Sequence, residues 1–212
     1  MELIGMLDSP YVRRVAVSLQ LQGLPFTHRS VSVFRGFDQF RQINPVVKAP
    51  TLICDDGGLL MDSSLILEYA EGLAAKRRSL VPAEPAARLR CLRLTGLALA
   101  AIEKSAQIVY EHGVRPPEKL HRPWLERVTG QLRTALAELE AQLAAQPLPA
   151  EAAQLDQAGV TGAVAWQFIS RLQPAEADAA RFPRLAAFSA AAEQLAEFRA
   201  APHGEGVYPV KA

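Results

Sequence analysis

Beyond Pro82-Ala83-Glu84-Pro85 no stretch of this chain shows the alternation or the short apolar runs of a β-strand, whereas the residues before it show both. That break limits the fold more than any other feature. It divides the chain into a mixed α/β domain at residues 1–78, a proline-marked linker at 79–86 and an all-helical domain at 87–212. With 212 residues, half of them apolar, the chain is long enough for two compact cores.

Within the first domain, residues 2–7 form an apolar run that reads as a buried strand. Ser9 stands where a helix N-cap belongs, and Pro10 suits the first helical position, where its missing N–H costs nothing. Val12, Val15, Ala16 and Leu19 supply the apolar face of that helix, and Gly23-Leu24-Pro25 stops it. A second strand is expected over residues 26–33 and a short helix over 37–42, ended by Asn44-Pro45. Residues 51–54 and 59–61 flank Asp55-Asp56-Gly57-Gly58 as a hairpin, after which Asp62-Ser63-Ser64 opens a helix through Leu65, Ile66, Tyr69 and Leu73. The order is βαβαββα.

In the second domain Leu125, Val128, Leu132, Leu136, Leu139 and Leu143 recur at helical spacing, and Leu185, Phe188, Ala192, Leu195 and Phe198 repeat the pattern as one helix. Residues 160–172 are apolar nearly all round, as in a central buried helix. Asp156 is positioned to cap it, Gly159 cannot reach back to complete a capping box, and Leu155 with Val160 fit a hydrophobic staple.

Composition narrows the function classes. A net charge of +1, with no basic run longer than Lys76-Arg77-Arg78, gives no nucleic-acid or membrane-surface footprint. Cys54 and Cys91 make neither a disulfide framework nor a zinc pattern, so no metal is expected. Residues 1–10 lack a signal-peptide pattern, and the chain reads as cytoplasmic. Cys54 reads as a small core residue, and Cys91 as exposed or at a subunit interface.

Three local features share one order along the chain: Ser9-Pro10-Tyr11 after the first strand, Lys48-Ala49-Pro50-Thr51-Leu52 before the hairpin, and Asp62-Ser63 at the next helix start. With the element order, they resemble the glutathione transferase superfamily over nearly the whole chain. The resemblance implies a thioredoxin-like N-terminal domain that binds glutathione and a helical C-terminal domain. In serine-type (tau- and zeta-like) members, the residue matching Ser9 stabilises the glutathione thiolate. A free thiol has a pKa of about 8.5, so only a few per cent is ionised at neutral pH, and the thiolate is the nucleophile. Lowering that pKa by about two units takes about 2.7 kcal/mol of preferential thiolate stabilisation, within reach of a hydroxyl donor at a helix N-terminus.

By the same resemblance the Ala49–Pro50 bond is cis, and the backbone of Ala49 pairs with the cysteinyl part of the tripeptide. Lys48 reaches its glycyl carboxylate, while Asp62 and Ser63 hold its γ-glutamyl end. Tyr11, Tyr110 and Trp166 are candidates for the electrophile pocket, and His112 reads as a helix-end residue. Tyr11 lies inside the helix and either packs or lines the pocket mouth. The related isomerase class carries Ser-Ser-Cys where this chain has Ser9-Pro10-Tyr11, and members with cysteine at the Ser9 position are reductases. The implied activity is conjugation of glutathione, as co-substrate, to a small electrophile. The alternatives are a non-catalytic binding or interaction protein, or a glutathione-dependent isomerase or peroxidase. A homodimer is also implied, its contact near residues 89–109 and the end of the first domain, with Arg77, Cys91 and Arg93 close by.

Overall fold

The computed structural model describes residues 1–74 and 77–206. By contact the chain separates into two compact units, Met1–Val81 with the chain from Gln194 on, and Pro82–Glu193.

The first unit runs β1 (Glu2–Ile4), α1 (Pro10–Leu21), β2 (Thr27–Arg29), α2 (Phe37–Ile43), β3 (Thr51–Ile53), β4 (Leu59–Leu60) and α3 (Ser63–Leu73), the βαβαββα order expected. The sheet order is β2-β1-β3-β4, with β2 parallel to β1, and β3 antiparallel to both β1 and β4. The strands are shorter than the apolar runs suggest. After Ile4 the chain turns at Gly5, whose φ of 135° suits glycine alone, so Met6 and Leu7 are buried in a loop rather than a strand. Ile4, Val31 and Phe40 form a core cluster beneath α2, and α1 packs on α3.

The C-terminal segment from Gln194 groups with the first unit rather than with the helices before it. The pattern from Leu185 to Phe198 is not one helix but two, α7 (Pro183–Ala192) and α8 (Ala196–Ala200). Leu185, Phe188 and Ala192 belong to the second unit, whereas Phe198 is buried in the first. Arg13 of α1 holds it there: the buried guanidinium lies over the Phe198 ring at 5.7 Å, and its Nε donates to the Ala201 carbonyl at 2.7 Å. A charge buried this completely is tolerated because carbonyls and a ring face replace its water.

In the second unit α4 (Pro85–Gly113) packs against α5 (Arg122–Ala145) and α6 (Gln157–Leu172), with α7 against α5 and α6. Glu84 caps α4, its carboxylate accepting from the Ala86 and Ala87 amides at 2.9 and 2.7 Å. Buried Glu111 closes the turn to α5 by accepting from the His121 amide at 3.0 Å and from Arg115 Nε at 2.9 Å.

Helix α6 is buried nearly all round, as its composition predicts. Asp156 caps it by accepting from the Gly159 amide at 2.9 Å. Gly159 does more than fail to complete a capping box: a Cβ there would lie 2.3 Å from Leu155 Cδ2, so its bareness lets the staple close. Cys91 is neither exposed nor on a surface. It is buried in α4, and its thiol is pushed up to about 11, by burial first and then by the Asp156 carboxylate beside it.

Candidate functional site

Strand polarity places four loop ends along one edge of the sheet. The C-terminal ends of β1, β2 and β4 and the N-terminal end of β3 all point that way. Ser9 follows β1, Ala49-Pro50 precedes β3, and Asp62-Ser63 follows β4. The sequence-predicted glutathione residues therefore share one edge.

The β1–α1 loop is held from both sides. A Cβ on Gly5 would lie 2.6 Å from Val12 Cγ2 and 3.1 Å from Ala49 Cβ, so only glycine lets this loop approach the one before β3. The Gly5 amide donates to the Arg29 carbonyl at 3.1 Å, and its carbonyl faces His28 Nε2 at 2.6 Å. Because a carbonyl only accepts, Nε2 carries the proton. Ser9 sits at the N-cap with extended backbone (φ −72°, ψ 121°), and its carbonyl accepts from the Arg13 amide at 2.9 Å. Its side chain makes no capping hydrogen bond. With no cap to hold its rotamer, the Ser9 hydroxyl can turn its O–H toward an anion, and the uncapped amides of the helix N-terminus add their own positive end there.

The loop before β3 is organised by Asn44, which sequence reading treated only as a helix breaker. Buried Asn44 donates from Nδ2 to Thr51 Oγ1 at 2.9 Å and accepts on Oδ1 from the Val46 amide at 3.0 Å. Thr51 Oγ1 in turn donates to the Lys48 carbonyl at 2.7 Å. This chain fixes residues 44–51 around a cis Ala49–Pro50 bond, as expected, with Lys48 exposed.

At the third end Asp62 caps α3, accepting from the Ser64 amide at 3.0 Å. Ser63 is buried, and beneath it lies Arg14, a residue that the motifs did not point to. Arg14 Nη1 donates to Ser63 Oγ at 3.1 Å and to Ser64 Oγ at 3.2 Å. Burial lowers its pKa to about 10, against the pull of Asp62 and Tyr11, so the guanidinium stays charged at neutral pH. A serine hydroxyl that accepts from a guanidinium still has its own proton to give, and it is better polarised to give it to a carboxylate. The one sequence signal was the pair Arg13-Arg14 on an otherwise apolar helix.

The residues assigned to an electrophile pocket are spread over three helices. Tyr11 is half-buried in the first turn of α1, beside Arg14. Tyr110 is exposed near the end of α4, and Trp166 is buried in α6 with its ring edge-on to Phe182 at a centroid distance of 6.1 Å. The second unit carries an open cavity of about 370 Å³ that includes Ile108, His112, Leu125 and Leu172, but neither Tyr110 nor Trp166. Among the described residues there is no group of three His, Cys, Asp or Glu side chains placed to hold a metal ion, and no helix is long and apolar enough to cross a membrane.

Known proteins share this fold. The profile of the glutathione S-transferase N-terminal domain matches residues 3–78. The structure of a glutathione transferase family member from Pseudomonas fluorescens Pf-5, with bound S-(propanoic acid)-glutathione, is 30% identical, covers 95% of this chain and 98% of that one, and superposes with a TM-score of 0.77. A glutathione S-transferase from Methylobacterium radiotolerans in complex with glutathione sulfonate is 26% identical over 93% of this chain and 92% of that one, with a TM-score of 0.84. The uncharacterized GST-like protein YibF of Escherichia coli K12 is 26% identical over 174 residues, 82% of this chain and 85% of its own. The chain belongs to the glutathione transferase family.

Proposed function

We propose that this protein conjugates glutathione to small electrophiles in the cytoplasm, with Ser9 stabilising the glutathione thiolate. The observation that carries the reading is the Ser9 hydroxyl, which caps nothing at the N-terminus of α1 and shares a sheet edge with Ala49-Pro50 and Asp62-Ser63. It is supported by the relative that is 30% identical and holds a glutathione S-adduct, the kind of thioether that conjugation forms.

In this reading the tripeptide lies along the sheet edge. Its γ-glutamyl carboxylate meets Ser63, polarised by Arg14, and its ammonium meets Asp62. Its cysteinyl backbone pairs with Ala49, and Lys48 lies within the reach of its glycyl end. The S–H bond ionises, the proton leaves to water, and Ser9 donates to the sulfur anion. The thiolate attacks the electrophilic carbon and forms a C–S bond, and the electron pair departs with a leaving group or is protonated by water. Tyr11, Tyr110 and Trp166 remain our candidates for the electrophile's contacts.

The test is glutathione binding and the pKa of the bound thiol in the parent and in Ser9→Ala. We expect the variant to bind glutathione with a thiol pKa returned toward about 8.5, and to turn over a generic aromatic halide about ten- to a hundredfold more slowly at neutral pH. An unchanged thiol pKa in the variant would remove Ser9 from the mechanism. We further propose a homodimer. Helix α3 carries an exposed apolar stripe, Leu65, Tyr69 and Leu73, and α4 exposes Leu89 and Leu92. Light scattering at micromolar concentration reads this directly.

A further inference from the structure

The row of loop ends is not symmetric about Ser9. In the order β2-β1-β3-β4, Asp62-Ser63 lies two strands from Ser9 on one side, and the loop after β2 lies one strand away on the other. At about 4.8 Å per strand these are spans of about 10 and 5 Å. The tripeptide runs along this row: with its cysteinyl backbone paired to Ala49 before β3 and its γ-glutamyl arm at Ser63 after β4, its glycyl arm leaves toward the β1 and β2 side. With sulfur at Ser9 and the γ-glutamyl arm at Ser63, the glycyl carboxylate points to the loop after β2.

That loop already holds a carboxylate. Arg35 is ion-paired with Glu205, and the Glu205 carbonyl accepts from Ser30 Oγ at 2.8 Å. Asp8, which precedes Ser9, feels both charges. Partial burial raises its carboxyl first and Glu205 adds to this, while the Ser9 amide and Arg35 oppose it. The segment bearing Glu205 is anchored only four residues earlier, where Arg13 grips Ala201.

We propose that Glu205 is a built-in competitor for glutathione, a side-chain carboxylate occupying the Arg35 guanidinium that shares the glycyl carboxylate with Lys48 when the tripeptide binds. The inference rests on the glutathione reading above. Binding exchanges one ion pair for another, and the Arg13 anchor keeps the displaced Glu205 close enough to return. Both partners are exposed, so the competition is modest and salt-dependent.

The test is calorimetric titration of the full chain with glutathione and with γ-glutamylcysteine, whose terminal carboxylate stops one residue short of the β2 loop. At low salt Glu205→Gln should tighten glutathione about three- to fivefold and leave γ-glutamylcysteine unchanged, and the gain should shrink at high salt. Arg35→Gln should weaken glutathione and make a second Glu205→Gln change silent. Equal glutathione affinity in Glu205→Gln and the parent, or an equal gain for γ-glutamylcysteine, overturns the competition. If neither parent nor variants bind either ligand, the glutathione reading itself fails.

Discussion

Helices α1 and α6 are both buried on nearly every face, yet they fill their surroundings with opposite materials. Helix α1 buries Arg13, Arg14 and Ser18 among its apolar residues. Helix α6 buries glycine, alanine, valine and aromatic side chains, with little beyond Gln157 and Thr161 that is polar. A buried guanidinium is a poor source of stability, because losing its water costs about as much as its new partners return. Close-packed small residues cost little and tolerate little change. The difference implies that α1 is built to position polar groups at the sheet edge, and α6 to hold the second unit together.

The sharpest test of that contrast is Arg14→Met. If Arg14 serves the γ-glutamyl site, glutathione affinity should fall about a hundredfold, or about 2.7 kcal/mol. Folding stability should change much less, since the lost hydrogen bonds to Ser63 and Ser64 are offset by relief from burying a charge. Titration and denaturant unfolding on one sample separate the two quantities. A large loss of stability with unchanged affinity would make Arg14 structural and erase the contrast.

Gly159→Ala probes the other side. An added methyl meets Leu155 Cδ2 at 2.3 Å in a packed core, which costs about 1–3 kcal/mol. The better helix propensity of alanine returns about 1 kcal/mol. The expected net loss is on the order of 1 kcal/mol in denaturant unfolding, with glutathione affinity unchanged in the folded protein. A drop in affinity matching the drop in stability would show that α6 also serves the site.

These two helices also mark what the amino-acid order made legible. Ser9-Pro10, Pro50 and Asp62-Ser63 announce themselves because caps, cis-proline turns and helix starts are local, and their chemistry lies within a few residues of chain. Arg14 and Asn44 do not, because their meaning depends on partners brought in by folding: Ser63 is 49 residues from Arg14. The same limit explains Cys91, buried in α4 where α6 packs against it and brings Asp156 alongside. It also explains the split between α7 and α8, where one apolar period serves two cores and the sequence carries no mark of the change. Gly159 was read correctly as unable to complete a cap, but its packing role needed Leu155 in place.

The smallest expected effect separates the two units by pH. Buried His28 donates from Nε2 to the Gly5 carbonyl, and burial lowers its pKa, only partly opposed by that hydrogen bond. In the unfolded chain a histidine titrates near its ordinary value of about 6.5. Below that pH the unfolded state takes up a proton that the folded state resists, so this contribution to stability is complete above about pH 6.5 and is lost as pH falls toward the lowered folded value. Denaturant midpoints of the parent at pH 7.5 and 5.5 should therefore differ more than those of His28→Gln, which keeps an N–H donor but cannot titrate. Because Gly5 holds the loop leading to Ser9, glutathione affinity should weaken alongside on the acid side in the parent and less so in the variant. Gly159→Ala should lower the midpoint equally at both pH values, since the clash it introduces is between a methyl group and the Leu155 side chain. A parent with no acid-side loss, or a variant with the same slope, would detach His28 from the loop and leave the sheet edge held by Gly5 and Asn44.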